Sequence, residues 1–350
     1  MDNYKKIATL EELETLKELI HYENSGEHKP VDKREKILVD FTKPVGKIKR
    51  TYLSVKDTNT VISLPISDTN TNNLVQDFKT VIASGTANGT NCFEITVSEG
   101  TETMSCRKFF DIYAEITLTL KKDFPDIKLG AGGFDNCVSD YVHEFMNYLS
   151  NDKRVTLDFF SWHKSCAKAE QLQNYTYAAR TLLDKYGFEN TENVITSWSY
   201  NGNPTGIPAS EFDQKKASFT AACLISLQKT PTNIAVCSED ALDENSKVRS
   251  AFKAFSTLSD LGIEVTSDTA ADHIYVIGAK DDDKGAFMLA NFNPYEKLEH
   301  ELVFDLKGVY GKKCEMYLVD KEHDLDLIYE GDIPETYKMM PETILLVKLV

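Results

Sequence analysis

The sequence predicts an α/β protein: a (β/α)8 TIM-type barrel, truncated or rebuilt at its first strands, followed by a C-terminal antiparallel β-sandwich. Three observations carry this expectation. Between Leu74 and Leu261, short apolar runs alternate with amphipathic stretches, a pattern that implies a parallel sheet with helical crossovers. Beyond Glu264 the helical periodicity stops and short strands follow one another across turns such as Asp281-Asp-Asp-Lys-Gly285, which reads as an antiparallel sandwich. Before Leu74 there is no room for three complete βα units at about 30 residues each.

Taken in order, Thr9 and Glu12 form a capping-box pattern, and Leu10, Leu13, Leu16, Leu19 and Ile20 repeat at helical spacing, so Thr9 to Ile20 is expected as an amphipathic helix. A polar stretch follows. Two strand-like runs, Ile37 to Phe41 and Ile48 to Val55, read as a hairpin joined across Lys43-Pro-Val-Gly46 and are expected to join the sandwich. This gives an N-terminal segment 1–56, a barrel 57–263 and a sandwich 264–350. Val61 to Ile66 is the next apolar run, and Leu74 to Ile82 a helix.

Regular alternation then begins with strand Cys92 to Val97 and helix Arg107 to Lys122. It continues with strand Ile127 to Gly130, helix Ser139 to Leu149, strand Val155 to Trp162, helix Lys168 to Tyr186, strand Val194 to Thr196, helix Phe212 to Gln228, strand Ile234 to Val236 and helix Lys247 to Leu261. Counted backward from the sandwich, Ile234 opens barrel strand eight and Cys92 strand four. Sandwich strands are expected at His273 to Ala279, Ala286 to Phe292, Glu301 to Leu306, Cys314 to Val319 and Thr343 to Leu349.

Composition bounds the function. A formal net charge of −16 argues against nucleic acid as a direct partner, since phosphate binding needs a basic patch. No apolar run reaches the roughly 18 residues of a membrane span, and the first residues lack the apolar stretch of a signal peptide, so a cytoplasmic location is expected. Seven scattered cysteines without a C-x-x-C pair indicate neither a disulfide framework nor a zinc site. No cofactor or metal is implied; Asp281-Asp-Asp283 lacks the rest of an EF-hand loop and reads as a solvated turn.

Three strand ends carry a family resemblance: Cys92-Phe-Glu-Ile-Thr-Val-Ser-Glu-Gly100, Ser161-Trp-His163 and Thr196-Ser-Trp198. In order and spacing they resemble the retaining β-xylosidases of glycoside hydrolase family 39, whose strands four, six and seven end in Asn-Glu-Pro, Ser-Trp-His and Thr-Glu-Trp. Ile127-Lys-Leu-Gly-Ala-Gly-Gly133, Leu224 to Pro231, Ala251 to Leu258 and Gly285 to Phe292 extend the likeness over Leu74 to Val350. Ile37-Leu-Val-Asp-Phe-Thr-Lys-Pro44 is similar to a segment of the glycosidase-like module found in some AraC-type regulators.

The resemblance implies a double displacement by two glutamates about 5 to 5.5 Å apart. Here Ser197 stands at the nucleophile's position. The acid/base falls on Ser98 when strand four is aligned without a gap from Phe93-Glu94-Ile95, or on Glu99 after a slip of one residue. His163, Trp198, Tyr200 and Asn201 are the expected sugar-binding residues. Two readings follow. In one, the chain has lost hydrolase activity and acts as a carbohydrate-sensing or interaction module, with a carbohydrate ligand and a second copy or a regulator as partners. In the other, it is an active retaining β-glycosidase with Glu99 as acid/base and a nucleophile recruited from Asp135, Glu239 or Asp240.

Overall fold

The chain divides into two units, Met1–Arg34 and Glu35–Val350. A computed structural model describes residues 34–49, 52–54, 61–66, 71–97, 104–202, 205–238, 245–309 and 311–350, and the architecture below is that of the second unit. The expected helix Thr9 to Ile20 lies outside the described residues.

Strand β1 (Arg34–Lys47) runs straight through Lys43-Pro-Val-Gly46, so the expected hairpin is corrected to one long strand. It pairs antiparallel with β9 (Ile263–Thr269), and register shifts on either side of Pro44 absorb a residue that has no N–H for the ladder. The next segment leaves the sandwich altogether. Ile48 donates its N–H to Gly262 and is buried against the barrel helices, the Lys49 N–H is held by the Gln228 side chain, and β2 (Tyr52–Ser54) then pairs parallel with β8 (Ile234–Cys237). Of the two N-terminal runs expected in the sandwich, only the first is there; the second is a barrel strand.

The remaining barrel strands are β3 (Ile62–Ile66), β4 (Cys92–Val97), β5 (Lys128–Phe134), β6 (Phe159–Cys166) and β7 (Glu192–Tyr200). Together the described strands form a parallel sheet of seven in the order β2-β8-β7-β6-β5-β4-β3. The strands are linked by α1 (Thr71–Ala87), α2 (Cys106–Asp123), α3 (Asp140–Asn151), α4 (Ala169–Lys185), α5 (Ala209–Gln228) and α6 (Lys247–Leu261). Serine side chains set three of the helix starts: Ser105 accepts from Lys108 N–H, Ser139 from Val142 N–H and Ser246 from Val248 N–H. Gly262, in the left-handed region at φ 85°, ends α6 and turns the chain into β9.

The antiparallel sheet has nine described strands in the order β14-β13-β16-β11-β10-β9-β1-β12-β15. They comprise β10 (Ile274–Lys280), β11 (Gly285–Asn291), β12 (His300–Lys307), β13 (Lys313–Val319), β14 (Asp324–Asp332), β15 (Thr336–Met339) and β16 (Thr343–Leu349), besides β1 and β9. Strand alternation gives it two apolar faces. Phe287, Leu289, Leu345 and Val347 face a core of their own with Ile37, Val39 and Val265, whereas Ala286, Met288, Ala290 and Leu346 belong to the core shared with the barrel helices. Helices α5 and α6 lie on that second face. One end of the sheet, β14, is an edge strand on which Leu327, Ile328 and Tyr329 are exposed in a row between Asp326 and Glu330.

Candidate functional site

Side chains alternate in and out along the barrel strands, and the inward set forms layers. At the bottom, Cys92, Phe159, Val194, Ile234 and Val236 make a small apolar cluster with Val61 against it. Phe159 fills its place because Gly130 lies opposite it on β5. A Cβ at Gly130 would overlap the phenyl ring. The outward set is apolar too and packs against the helices: Phe93, Ile95, Leu129, Ala131, Phe160, Trp162 and Ile195.

Above the apolar floor the lining turns polar. Ser63 and Glu94 are register partners on β3 and β4. Ser161 and Thr196 stand on β6 and β7, where the Ser161 hydroxyl accepts from the Gly133 N–H at 3.3 Å and Thr196 donates to the Trp162 carbonyl at 3.3 Å. Gly133 is at φ 62°, and a Cβ there would come within 2.6 Å of Thr96 Oγ1. The glycines of β5 therefore give up side chains so that this layer can form.

Glu94 is the anomaly of the barrel interior. It is only 6% exposed, and its Oε1 is sealed from solvent without a hydrogen-bond partner. Burial pushes its carboxyl above the usual glutamate range, although the Ser161 hydroxyl, the charge of His163, the Gly133 N–H and the Thr196 hydroxyl all favour the ionised form. Beside it is a cavity of about 160 Å³ lined by Val61, Ser63, Glu94, Thr196 and Val236. Sequence reading passed over Glu94 as an alignment anchor. The signal was present, since Cys92, Glu94 and Thr96 share one face of a strand that is otherwise apolar.

At the carboxyl ends the strands run further than the sequence suggests. Strands β6 and β7 stay paired through Ser161-Trp-His163 and Thr196-Ser-Trp198 up to Cys166 opposite Tyr200, and the Ser165 and Ser199 hydroxyls meet at 2.7 Å. Register shifts after Trp162 and after Ile195 mark a bulge at Thr196 and Ser197. It brings Ser197 opposite His163 on the neighbouring strand. His163 is half-exposed, and its Nε2 pairs with Asp135 Oδ1 just past the end of β5. The structure thus gathers Ser197, His163 and Asp135 at the barrel mouth, one layer above Glu94.

Other expected site residues are elsewhere. Ser98 and Glu99 lie outside the described residues, as do Glu239 and Asp240. Trp198 is corrected from a sugar-binding to a packing residue: it is 1% exposed and meets Phe219 of α5 edge-on, because the bulge turns it to the helix side of β7. Trp162 is buried likewise, its indole N–H donating to Asn193 Oδ1 at 2.8 Å. Tyr200 is corrected in the same way, since its ring packs among Phe212, Phe219 and Phe292, where β7 and α5 meet the antiparallel sheet. Asn201 is exposed, with its N–H on the Cys166 carbonyl.

Among the described residues no cluster of three or more His, Cys, Asp or Glu could hold a metal ion, and no helix is long and apolar enough to cross a membrane. All seven cysteines are buried and none forms a disulfide, and burial pushes the thiols of Cys106 and Cys137 up to about 12, which leaves them protonated and inert.

Solved structures share this architecture of barrel and sandwich. A glucosidase from Croceicoccus marinus superposes with a TM-score of 0.69 at 14% identity, covering 91% of this chain and 99% of that one. A monomeric β-xylosidase from Caulobacter crescentus CB15 gives 0.66 at 10% identity over 90% and 99%. A GH39 enzyme from Xanthomonas axonopodis pv. citri gives 0.66 at 12% identity over 93% and 99%. At such identities the likeness is one of fold. No curated protein matches the sequence. The model of glycosyl hydrolases family 39 matches residues 98–349, from the end of β4 through β16 and most of the chain, and this protein therefore belongs to glycosyl hydrolase family 39.

Proposed function

We propose that the chain binds a carbohydrate at the carboxyl ends of its barrel strands without completing a double displacement. One observation carries this reading: the β7 residue brought opposite His163 is Ser197, a hydroxyl where covalent glycosyl transfer needs an ionised carboxylate. A serine becomes a competent nucleophile only beside a general base. Among the described residues no hydrogen bond joins the Ser197 hydroxyl to the His163 ring, whose Nε2 is paired with Asp135. A half-exposed imidazole and hydroxyls over a closed apolar floor suit recognition of sugar hydroxyls, in keeping with the family. Sensing rather than cleaving would be the role, as in the regulator modules that the sequence resembles.

The Asp135 carboxylate at the mouth favours a second reading, residual hydrolysis with Asp135 in place of the missing glutamate and Glu99 as acid/base. An aryl β-glycoside panel of xyloside, glucoside and arabinoside separates the two. The expected result is no turnover above that of Glu99→Gln and Asp135→Asn controls, with sugar binding that weakens in His163→Ala. Turnover that either control abolishes would overturn the sensing reading.

A further inference from the structure

We propose that the outer edge of β14 takes up a short extended segment of a partner protein in which lysine or arginine alternates with apolar residues. Nothing at the barrel mouth is involved, so the sugar site can fail its test without touching this one. Strand β14 pairs with β13 on one side and has no further strand on the other among the described residues. Such an edge is a template for strand addition through main-chain hydrogen bonds. Its apolar side chains are unburied: Leu327 is 49% exposed, Ile328 37% and Tyr329 39%. Register shifts between Met316 and Tyr317 and between Leu318 and Val319 interrupt the β13 ladder, which leaves residues 329–332 as its regular run on β14. An edge bent in this way suits a short segment better than a long flat strand.

The two faces of that run ask for different side chains. Alternation sets Tyr329 and Gly331 on one face and Glu330 and Asp332 on the other. The Tyr329 ring lies along the strand over Gly331, where a Cβ would come within 2.8 Å of the ring hydroxyl, and that hydroxyl donates to the Asp332 carbonyl at 2.8 Å. An aromatic surface is thus held in place for an apolar side chain of the incoming segment. On the other face Glu330 stands opposite Glu315 of β13, like charge against like, and neither Glu330 nor Asp332 has an ion pair among the described residues. A cation on an added strand relieves that repulsion. A second copy of β14 would instead bring Asp326, Glu330 and Asp332 against the same acids, so charge selects a basic partner over a second copy of this chain.

Fluorescence anisotropy of the full chain with a labelled peptide of about eight residues, alternating lysine and valine, tests this strand-addition mode. The same peptide N-methylated at alternate residues keeps the charge and loses ladder donors. Glu330→Lys reverses the charge on the edge, and circular dichroism and melting first establish that it folds. The expected result is saturable binding to the wild type that weakens roughly tenfold or more for the N-methylated peptide, as for loss of two or three ladder hydrogen bonds. Binding should weaken as much in Glu330→Lys, and should fall as salt is raised from about 0.05 to 0.3 M. Equal binding of the N-methylated peptide would mean diffuse attraction to a chain of net charge −16 and would overturn the strand addition. Equal binding by Glu330→Lys would place the peptide elsewhere and overturn the assignment to β14. A wild-type dimer in sedimentation that the peptide dissociates would give the edge to a second copy, and no binding by the wild type would leave it without the proposed partner; either result overturns the proposal.

Discussion

Glu94 couples the stability of the fold to pH in a direction that can be worked out. Its pKa is raised by burial in the folded chain, while an unfolded glutamate titrates near 4.3. Well below that value both states carry the proton and the residue is neutral to stability. As pH rises past about 4.3 the unfolded chain releases its proton first, so the folded state binds more protons and stability falls until the folded pKa is passed. Glu94→Gln removes this slope. The variant should gain on the wild type between pH 4 and pH 7 in urea unfolding, with the two nearly equal at the acid end. Gly130 gives a second prediction at this scale. A methyl group there meets the Phe159 ring, so Gly130→Ala should cost about 1–3 kcal/mol, seen as a lower urea midpoint at unchanged slope.

Among elements, the helices were the most legible, because they are long apolar or amphipathic runs and three of them begin at a serine, Ser105, Ser139 or Ser246. The last of these also links helices: the Ser246 hydroxyl donates to Asp213 Oδ1 at 2.9 Å, and Asp213 Oδ2 accepts from the Lys247 N–H at 2.8 Å. Ser246→Ala should therefore destabilise by about 0.5–2 kcal/mol, measured by thermal unfolding. Strand identity was legible from β3 to β8, but strand ends were not. Ser161-Trp-His163 and Thr196-Ser-Trp198 read as polar stops, yet both motifs remain in the ladder because a bulge absorbs their irregularity. That bulge also decides which way Trp198 and Ser197 face, a choice that periodicity alone cannot make. The strands missed altogether have a common cause: β9, β14 and β15 are short or rich in acids and threonine, so they lack the apolar alternation that marks the others. Pro44 misled in the opposite sense, suggesting a turn where the chain only bulges.

At the scale of the molecule, barrel and sandwich share a core and should not unfold apart. Phe292, next to β11, packs against Tyr200 and Phe219, and Met288, Ala290 and Leu346 lie in the same apolar cluster as the barrel helices. Phe292→Ala should cost about 3–5 kcal/mol and lower a single calorimetric transition rather than split it in two. A chain cut after Leu261 would bare the outer faces of α5 and α6 and should not fold. The opposite end of the antiparallel sheet raises a matter of colloid chemistry. Strand β14 offers Leu327, Ile328 and Tyr329 to solvent on a ladder with no further strand among the described residues, a template for another chain. Asp326, Glu330 and Asp332 flank it, and the whole chain carries 55 acidic against 39 basic residues, so like molecules repel where they would otherwise stack edge to edge. That protection is purely ionic: near pH 4, where carboxylates take up protons, or in molar salt, where screening shrinks to about 3 Å, dispersed molecules should cluster, and light scattering should rise while Tyr329→Lys stays clear.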